Sequence, residues 1–250
     1  MGFVKNANLP HSNVTYCVVS GQYQSVLEDL KAMNIIPLIV TPCYDVQTPI
    51  SCHADIICYH LGGSRIILYP YTKELTCQLA KLGFQVIHTN NRLQPKYPYD
   101  IALNAVSIGK WVISNFEYTD SNISNEIPQE NKVNTKQGYA KCSTLVVNEN
   151  AIITSDSNIK AVAERMGIEV LLIQPGHIRL DGYDYGFIGG CGFKTNKNTM
   201  YFTGDSKTHP DYYSIKQFLE ERDITIINGT GKELIDVGSI LPIKEKSGEI

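Results

Sequence analysis

The feature that most constrains the fold of this chain is an internal repeat. A short apolar strand, a helix and a second apolar strand follow one another four times, and each time a short loop leads into a similar phrase. Five such phrases occur, at intervals of roughly 41 to 52 residues, and they are marked by Asp55, Asp100, Lys141, Asp184 and Asp236. Self-similarity at such a period is typical of folds in which successive units pack against their neighbours.

The helices of the repeat are predicted from the spacing of apolar residues, over 24–33, 73–82, 158–166 and 213–222. In the third of them, Ile159 and Val162 belong to a single apolar face. Ser157 is expected to cap the start of that helix, and Gly167 to end it.

After most of the phrases comes a turn and a further strand, so the repeating unit is ββαβ. The phrase at Asp236 has no second strand after it, and the first strand, at 13–20, has no partner before it. Pairing of these two ends would close five units into a ring and remove exposed sheet edges. We therefore predict one α/β domain whose units span approximately 13–50 (closed by 233–243), 51–95, 96–136, 137–180 and 181–232.

The third unit departs from the pattern. Residues 116–136 are polar and rich in Asn and Ser, and no good helix is evident there. We expect a long surface loop in this place, either a lid over a site or a linker without a role. An open doubly wound α/β sheet is the alternative fold, but parallel sheets of that kind lack the ββ hairpins of this repeat.

Charge and composition restrict the partners. The net charge of −3 offers no electrostatic reason to expect nucleic acid or an anionic membrane as a partner. No apolar run approaches the roughly 18 residues of a membrane-spanning helix, and no signal peptide is evident. Seven cysteines without paired spacing favour a reduced, cytoplasmic compartment. No nucleotide-binding motif is present, so no cofactor is expected, and a homo-oligomer stays open.

The five marked residues indicate a binding site if the first strand of each unit lines the ring. Asn104, in the same phrase as Asp100, belongs to this candidate substrate-binding set with Asp55, Lys141, Asp184 and Asp236. Crowded carboxylates favour a cationic ligand such as a guanidinium or an amine, and Lys141 is either part of the site or an internal counter-ion. The alternative is that each Asp caps its strand by bonding local amides. Several tyrosines near the starts could wall a cation pocket by cation–π contact: Tyr97, Tyr99, Tyr139, Tyr183 and Tyr185.

With its repeat and its Asp-containing strand starts, the chain resembles the pentein superfamily of guanidine-modifying enzymes, over roughly residues 13–243. The resemblance implies a five-bladed α/β propeller of ββαβ units with pseudo-five-fold symmetry. Members include arginine and agmatine deiminases, dimethylarginine hydrolases and amidinotransferases, which use a Cys nucleophile, a His acid/base and guanidinium-binding carboxylates. The superfamily also contains non-catalytic proteins, so the fold leaves the function open.

The stretch CHADIICYH, residues 52–60, concentrates Cys and His residues without predicting a metal site. Alternation along a strand places His53 and Asp55 on one face and Cys58 and His60 on the other, whereas a four-ligand site needs all of them together. His53-x-Asp55 resembles the pentein motif that carries the acid/base His, which makes His53 a candidate proton carrier.

The nucleophile is not where the resemblance implies it. In catalytic penteins the Cys lies on the first strand of the last unit, which here reads IDVGSILPI, residues 235–243, and has no Cys. Cys191 is the first alternative: it lies in a Gly-rich stretch that suggests a bulge or close approach by a ligand or another backbone, with His177 upstream as a possible base. It would otherwise be a small residue packed near the ring axis. Cys142, beside Lys141, is the second alternative.

Two functions follow. The chain is either a hydrolase or amidinotransferase that acts on a guanidino or other cationic small molecule through a Cys thiolate, or a non-catalytic pentein that binds a small cation or a protein partner. The missing C-terminal Cys favours the second function. The acidic mouth and the Gly-rich strand favour a small ligand over a flat protein interface.

Overall fold

The computed structural model describes residues 1–71 and 73–247. Its strands, in chain order, are β1 (Gly2–Phe3), β2 (Val14–Ser20), β3 (Ile36–Val40), β4 (Cys58–Gly62), β5 (Arg65–Leu68), β6 (Gln85–His88), β7 (Val106–Ile108), β8 (Trp111–Ser114), β9 (Lys132–Asn134), β10 (Thr144–Asn148), β11 (Ala151–Thr154), β12 (Glu169–Leu172), β13 (Gly192–Asn196), β14 (Thr199–Phe202), β15 (Thr225–Asn228) and β16 (Leu241–Glu245). Its α-helices are α1 (Gln24–Ala32), α2 (Ala54–Ile57), α3 (Lys73–Lys81), α4 (Ser121–Glu126), α5 (Ser157–Arg165) and α6 (Tyr212–Glu220).

These strands form five small sheets, in the orders β1-β16-β2-β3, β4-β5-β6, β7-β8-β9, β10-β11-β12 and β13-β14-β15. In each three-stranded sheet the first two strands are antiparallel and the last two are parallel, with a helix between the parallel strands. Each sheet is therefore one ββαβ blade. The fold is the five-bladed α/β propeller that the sequence predicted.

The ring closes by pairing the two ends of the chain. Strand β16 runs antiparallel to β2, with Leu241 opposite Val18 and Pro242 opposite Cys17. Strand β1, which the repeat did not predict, adds to the other edge of β16. Because β16 is paired on both sides, this blade presents no open edge at the point of closure.

The blades are arranged around an axis lined by their first strands. Strand β10 contacts β7 and β13, and β16 contacts β13 and β4. The longer helices lie outside, where α1, α3, α5 and α6 each pack against the last strand of their own blade. None of the helices in the described ranges is long and apolar enough to cross a membrane.

The four predicted helices begin and end within two residues of the observed bounds, but one predicted cap was wrong. Asp156, not Ser157, is the N-cap of α5, because its carboxylate accepts a hydrogen bond from the amide of Ile159 at 2.8 Å. Gly167 ends the helix at a φ of 76°, a left-handed conformation that suits glycine.

The prediction of a long surface loop without a good helix over residues 116–136 was wrong. The segment contains α4, a short 3₁₀ turn at Gln129–Asn131 and strand β9, which pairs in parallel with β8. The buried Asp120 caps α4 through the amide of Asn122. Its other oxygen accepts hydrogen bonds from the amides of Asn90 and Asn91, both at 2.9 Å. These contacts stabilise a helix that is too short to show an apolar period.

The expected placement of the marked polar residues on strands was also wrong. Asp55 lies in the helical turn α2, so strand β4 begins only at Cys58. Asp100 and Lys141 lie in turns before β7 and β10, and Asp236 precedes β16 in irregular chain. The chain turns here because backbone groups pair across blades, as when the amide of Asp55 donates to the carbonyl of Gly238 at 3.1 Å.

Candidate active site

A pocket of about 210 Å³ opens at the end of the ring where the chain enters the first strands of the blades. Its walls are largely aromatic, and its deeper part contains three polar residues: His53, Cys142 and Asp236. The aromatic walls come from Tyr139, Tyr183, Tyr185 and Phe187. Three of these are among the tyrosines that the sequence proposed as the walls of a cation pocket. Tyr97 and Tyr99 are not part of the described lining.

Cys142 is held between a carboxylate and an amide. Its thiol donates a hydrogen bond to Oδ2 of Asp55 at 3.0 Å, and Nδ2 of Asn104 donates to its sulfur at 3.1 Å. Burial, reinforced by the charges of Asp55 and Asp236, raises the pKa of the Cys142 thiol well above its ordinary value. The thiol is therefore protonated at neutral pH while no positive charge lies against it.

Asn104 joins the turns of neighbouring blades. Its Oδ1 accepts hydrogen bonds from the amides of Lys141 and Cys142, at 2.8 and 3.2 Å, while its Nδ2 also donates to the carbonyl of Asp55 at 3.2 Å. The side chain is fully buried, so these contacts position Asp55 and Cys142 relative to one another.

Lys141 approaches Asp55 through a serine. Its ammonium group donates to Oγ of Ser239 at 3.0 Å and to the carbonyl of Gly189 at 3.3 Å. The hydroxyl of Ser239 lies 2.5 Å from Oδ2 of Asp55. Burial lowers the pKa of Lys141, and the charge of Asp55 opposes that shift. Lys141 is not part of the described lining of the pocket, and its role as an internal counter-ion to the carboxylates stays a prediction.

His53 has no hydrogen-bond partner on either ring nitrogen, although only 1% of the residue is exposed. Burial lowers the pKa of its imidazole, so the ring is neutral at neutral pH. Gly238, at a φ of 73°, packs directly against this ring, and a Cβ atom at that position would overlap it. The ring is therefore fixed by packing and keeps both nitrogens available.

Asp236 is held by backbone amides. Its Oδ2 accepts from the amide of Phe187 and its Oδ1 from that of Gly238, each at 2.9 Å. Burial raises its pKa to about 6 despite these bonds. The amide of Gly238 is local to Asp236, whereas Phe187 lies 49 positions away, so this carboxylate joins two parts of the chain that are distant in sequence.

Other parts of the chain pack closely against the Gly-rich stretch before β13 and leave no room for side chains there. A Cβ atom at Gly190 would collide with the carboxylate of Asp236, and one at Gly189 with the carbonyl of Lys141. Glycine is required because the turns of adjacent blades meet there.

Asp100 lies outside the pocket lining but is joined to its wall. The hydroxyl of Tyr139 donates to Oδ2 of Asp100 at 2.6 Å, while Oδ1 is buried without a partner. Burial raises the pKa of this carboxyl group. Asp184, in contrast, is exposed at the rim of the pocket.

Cys191 and His177 are not brought together. Cys191 is fully buried in an apolar cluster, its sulfur bonds only the carbonyl of Ile188 among the described residues, and burial raises the pKa of its thiol. His177 is exposed, and its ring contacts His209. This geometry fits the packed residue that the sequence gave as the alternative for Cys191.

Three groups of the site could also hold a metal ion. One ligand atom from each of His53, Asp55 and Cys142 lies within 4.8 Å of the others, and all three residues are buried. His60, from the same sequence stretch, bonds the carbonyl of Gly63 instead. The sequence did not reveal this grouping because Cys142 belongs to a different blade from His53 and Asp55. It did not reveal the contact between Gly238 and His53 for the same reason, because the two residues are far apart in the chain.

Comparisons with known proteins identify the fold. Residues 18–241 match the family model described as a family of unknown function, DUF6873. No curated protein matches the sequence. Similar solved structures include SxtG, an amidinotransferase of Microseira wollei in the saxitoxin biosynthetic pathway (TM-score 0.60, 10% identity, 98% of each chain covered). Another is the inosamine-phosphate amidinotransferase StrB1 of Streptomyces griseus (TM-score 0.61, 9% identity, 99% of this chain and 98% of that chain).

A third similar structure is a Cys-to-Ser variant of the C. jejuni agmatine deiminase with substrate bound (TM-score 0.57, 10% identity, 99% of this chain and 97% of that chain). At such low identity these likenesses establish the fold alone. They confirm the predicted five-bladed α/β propeller fold.

Proposed function

The chain belongs to the family of unknown function DUF6873, and we propose that it is a pentein enzyme that modifies a guanidino compound through the thiol of Cys142. The observation that carries this proposal is the hydrogen bond from the Cys142 thiol to Asp55, because Cys142 and the unpartnered imidazole of His53 both line an aromatic pocket. A thiol, a carboxylate and an imidazole within reach of one another are the groups that thiol catalysis requires. The structural neighbours support guanidine chemistry as the class of reaction.

The pocket suits a planar cation. Asp236 provides a carboxylate in its deep part and Asp184 another at its rim, and the tyrosines offer ring faces to a positive charge. A guanidinium group donates two parallel hydrogen bonds to a carboxylate, which orients its central carbon as well as binding its charge. In this proposal Asp236 holds the guanidinium with its carbon towards the sulfur of Cys142.

The lining also favours a particular class of guanidine. Among the described residues that line the pocket, the charged ones are acidic, and no Lys or Arg is present. Lys141 is committed to Ser239 and Gly189 below the pocket. A substrate carboxylate would therefore have no cationic partner, so we expect a guanidine on an uncharged or cationic tail to bind better than an amino acid.

The chemistry begins with substrate binding. A guanidinium beside the sulfur offsets the burial and carboxylate charges that raise the thiol pKa, and so promotes ionisation. The proton passes to Asp55 along the existing hydrogen bond, and the sulfur attacks the guanidino carbon. His53 relays that proton from Asp55 to the departing nitrogen, a role for which its two available ring nitrogens are suited.

The departing nitrogen leaves as ammonia or as an amine, and the guanidino carbon stays bonded to the sulfur. Water then attacks this carbon in a hydrolase, or an acceptor amine attacks it in an amidinotransferase, and the Cys142 thiol is released with its proton. The same site serves both reactions, and access of the second nucleophile decides between them.

A non-catalytic binder of small cations is the second candidate. The observation that favours it is the burial of the Cys142 thiol, 3% exposed and held in its protonated form. In such a protein the thiol would serve as a hydrogen-bond donor that orients Asp55, and the pocket would bind its ligand without turnover.

The test is turnover of a panel that contains agmatine, arginine and simple alkylguanidines, with and without an acceptor amine. Ammonia, released amine and ureido product are measured for the parent protein and for Cys142→Ser and Cys191→Ser. We expect agmatine or an alkylguanidine to react faster than arginine, Cys142→Ser to lose at least about a thousandfold in rate, and Cys191→Ser to retain it.

The outcomes separate the candidates. Turnover that survives in Cys142→Ser would exclude Cys142 as the nucleophile. Absence of turnover throughout the panel, together with ligand-dependent thermal stabilisation that is lost on Asp236→Asn, would identify a non-catalytic binder.

A further inference from the structure

We infer that His53, Asp55 and Cys142 form a binding site for a divalent transition-metal ion, with Zn²⁺ as the best match. One nitrogen, one oxygen and one sulfur atom from these residues lie within 4.8 Å of one another. Imidazole, carboxylate and thiolate are the ligands that Zn²⁺ takes in proteins, and three protein ligands with an open fourth position are typical of its non-structural sites. The fourth position would face the pocket, where water can reach it.

The site contains potential metal-ligand atoms that have no hydrogen-bond partner in the protein. Both ring nitrogens of His53 are buried and make no hydrogen bond, and Oδ1 of Asp55 is in the same condition. Buried polar atoms without partners are rare in folded proteins, and an ion is one of their ordinary explanations. The unpartnered atoms of His53 and Asp55, beside the thiol of Cys142, support a metal site independently of the distances between the ligand atoms.

The distances are compatible with an ion in place of a proton. The sulfur of Cys142 lies 3.0 Å from Oδ2 of Asp55 across the shared thiol proton. Bonds of about 2.3 Å to sulfur and about 2.0 Å to oxygen, at a tetrahedral angle, require a separation of about 3.5 Å. An opening of about half an ångström would therefore admit Zn²⁺, and the thiol proton would leave to solvent as the metal–sulfur bond forms.

Outer contacts and charge support the same assignment. Asn104 donates to the sulfur and Ser239 to Asp55, as outer partners of metal ligands commonly do. The thiolate, Asp55 and Asp236 bring three negative charges, against which Lys141 brings one positive charge. A divalent ion would thus leave the site neutral.

Metal binding would also change the activity, an expectation that rests on the proposed function. The sulfur that would coordinate the ion is the proposed nucleophile, so bound Zn²⁺ should inhibit turnover and a chelator should restore it. Binding itself does not depend on turnover and is measured separately.

The test uses the Cys77→Ser protein, because Cys77 is an exposed thiol that could bind metal adventitiously. The protein is freed of metal with a chelator and titrated with Co²⁺, followed by competition with Zn²⁺. Thiolate-to-cobalt absorption and metal content are recorded for this protein and for His53→Gln, Cys142→Ser and Cys191→Ser made in the same background. Circular dichroism verifies that each variant is folded.

We expect one Co²⁺ per chain with thiolate absorption, displaced by Zn²⁺. Cys142→Ser should lose the absorption, His53→Gln should bind Co²⁺ at least about tenfold more weakly, and Cys191→Ser should behave as its parent.

No uptake of Co²⁺ by the folded parent, or uptake that is unchanged in both Cys142→Ser and His53→Gln, would overturn the inference. If Cys142→Ser fails to fold, the Co²⁺ affinity of His53→Gln alone tests the metal site. Turnover without metal binding would reject the metal site and leave the proposed function intact. Metal binding without turnover would support the metal site and count against the proposed function.

Discussion

The thiol of Cys142 donates a hydrogen bond to Oδ2 of Asp55 at 3.0 Å, although the two residues are 87 positions apart and belong to different blades. The same oxygen accepts the hydroxyl of Ser239, which in turn contacts the ammonium of Lys141. One buried carboxylate therefore links the proposed nucleophile, through Ser239, to the ammonium of Lys141.

Replacement of Asp55 by Asn should lower the free energy of unfolding by about 3 kcal/mol, because the buried ammonium of Lys141 loses the negative charge that acts on it most strongly. Denaturant unfolding measures the change. Asp184→Asn, at the exposed rim, is the control and should change stability by less than about 0.5 kcal/mol. Equal stability of the two variants would show that Asp55 is not the counter-charge of Lys141.

Gly238→Ala should destabilise the protein and displace His53, because the added Cβ overlaps the imidazole. Gly167→Ala is a matched control: its φ of 76° is close to the 73° of Gly238, but nothing lies within 4 Å of its added Cβ. Both variants carry the backbone cost of about 1 kcal/mol, and the contact should add about 1–3 kcal/mol at Gly238. Unfolding free energies that agree within error would rule out the packing of Gly238 on His53.

Tyr139→Phe should cost about 1–3 kcal/mol in unfolding free energy, because it removes the hydroxyl that donates to the buried carboxyl of Asp100. The control is Tyr183→Phe, which removes the hydroxyl that donates to Gln47 at 2.8 Å near the surface. It should change stability by less than about 0.5 kcal/mol. A loss for Tyr183→Phe as large as that for Tyr139→Phe would contradict the special role of burial at Asp100.

Binding of a guanidinium ligand should weaken as the pH falls through about 6, because the raised pKa of Asp236 is about 6 and protonation removes the charge that holds the cation. The loss should approach tenfold per pH unit below that value, and affinity should level off above it. Calorimetric titration of Cys142→Ser with agmatine, which separates binding from turnover, measures the profile. Asp236→Asn in the same background should bind weakly at all pH values. An affinity of Cys142→Ser that is constant between about pH 5 and pH 8 would exclude Asp236 as the binding group.

The repeat could be predicted from the sequence because the spacing of apolar residues in a helix or strand is visible within a short segment. Val18 and Ile67 lie in apolar strands that any packed sheet of this kind would need, and Gly167 marks a helix end by itself. The segment 116–136 was misjudged because α4 depends on Asp120, whose carboxylate is bonded to the amides of Asn90 and Asn91 from the preceding blade. Such a contact leaves no periodic signal.

By itself, the sequence determined that this chain forms five ββαβ units and closes them through its two ends, because apolar periodicity and turn residues act over short distances. It also identified the polar residues at the unit starts. Only the tertiary structure decided that Cys142, rather than Cys191, lines a pocket together with His53 and Asp236. That choice depends on how turns from different blades meet around the axis, where Asn104 bonds Cys142 and the glycines before β13 allow close approach of the chain. Contacts between residues so far apart in the chain arise from packing, which no local pattern encodes.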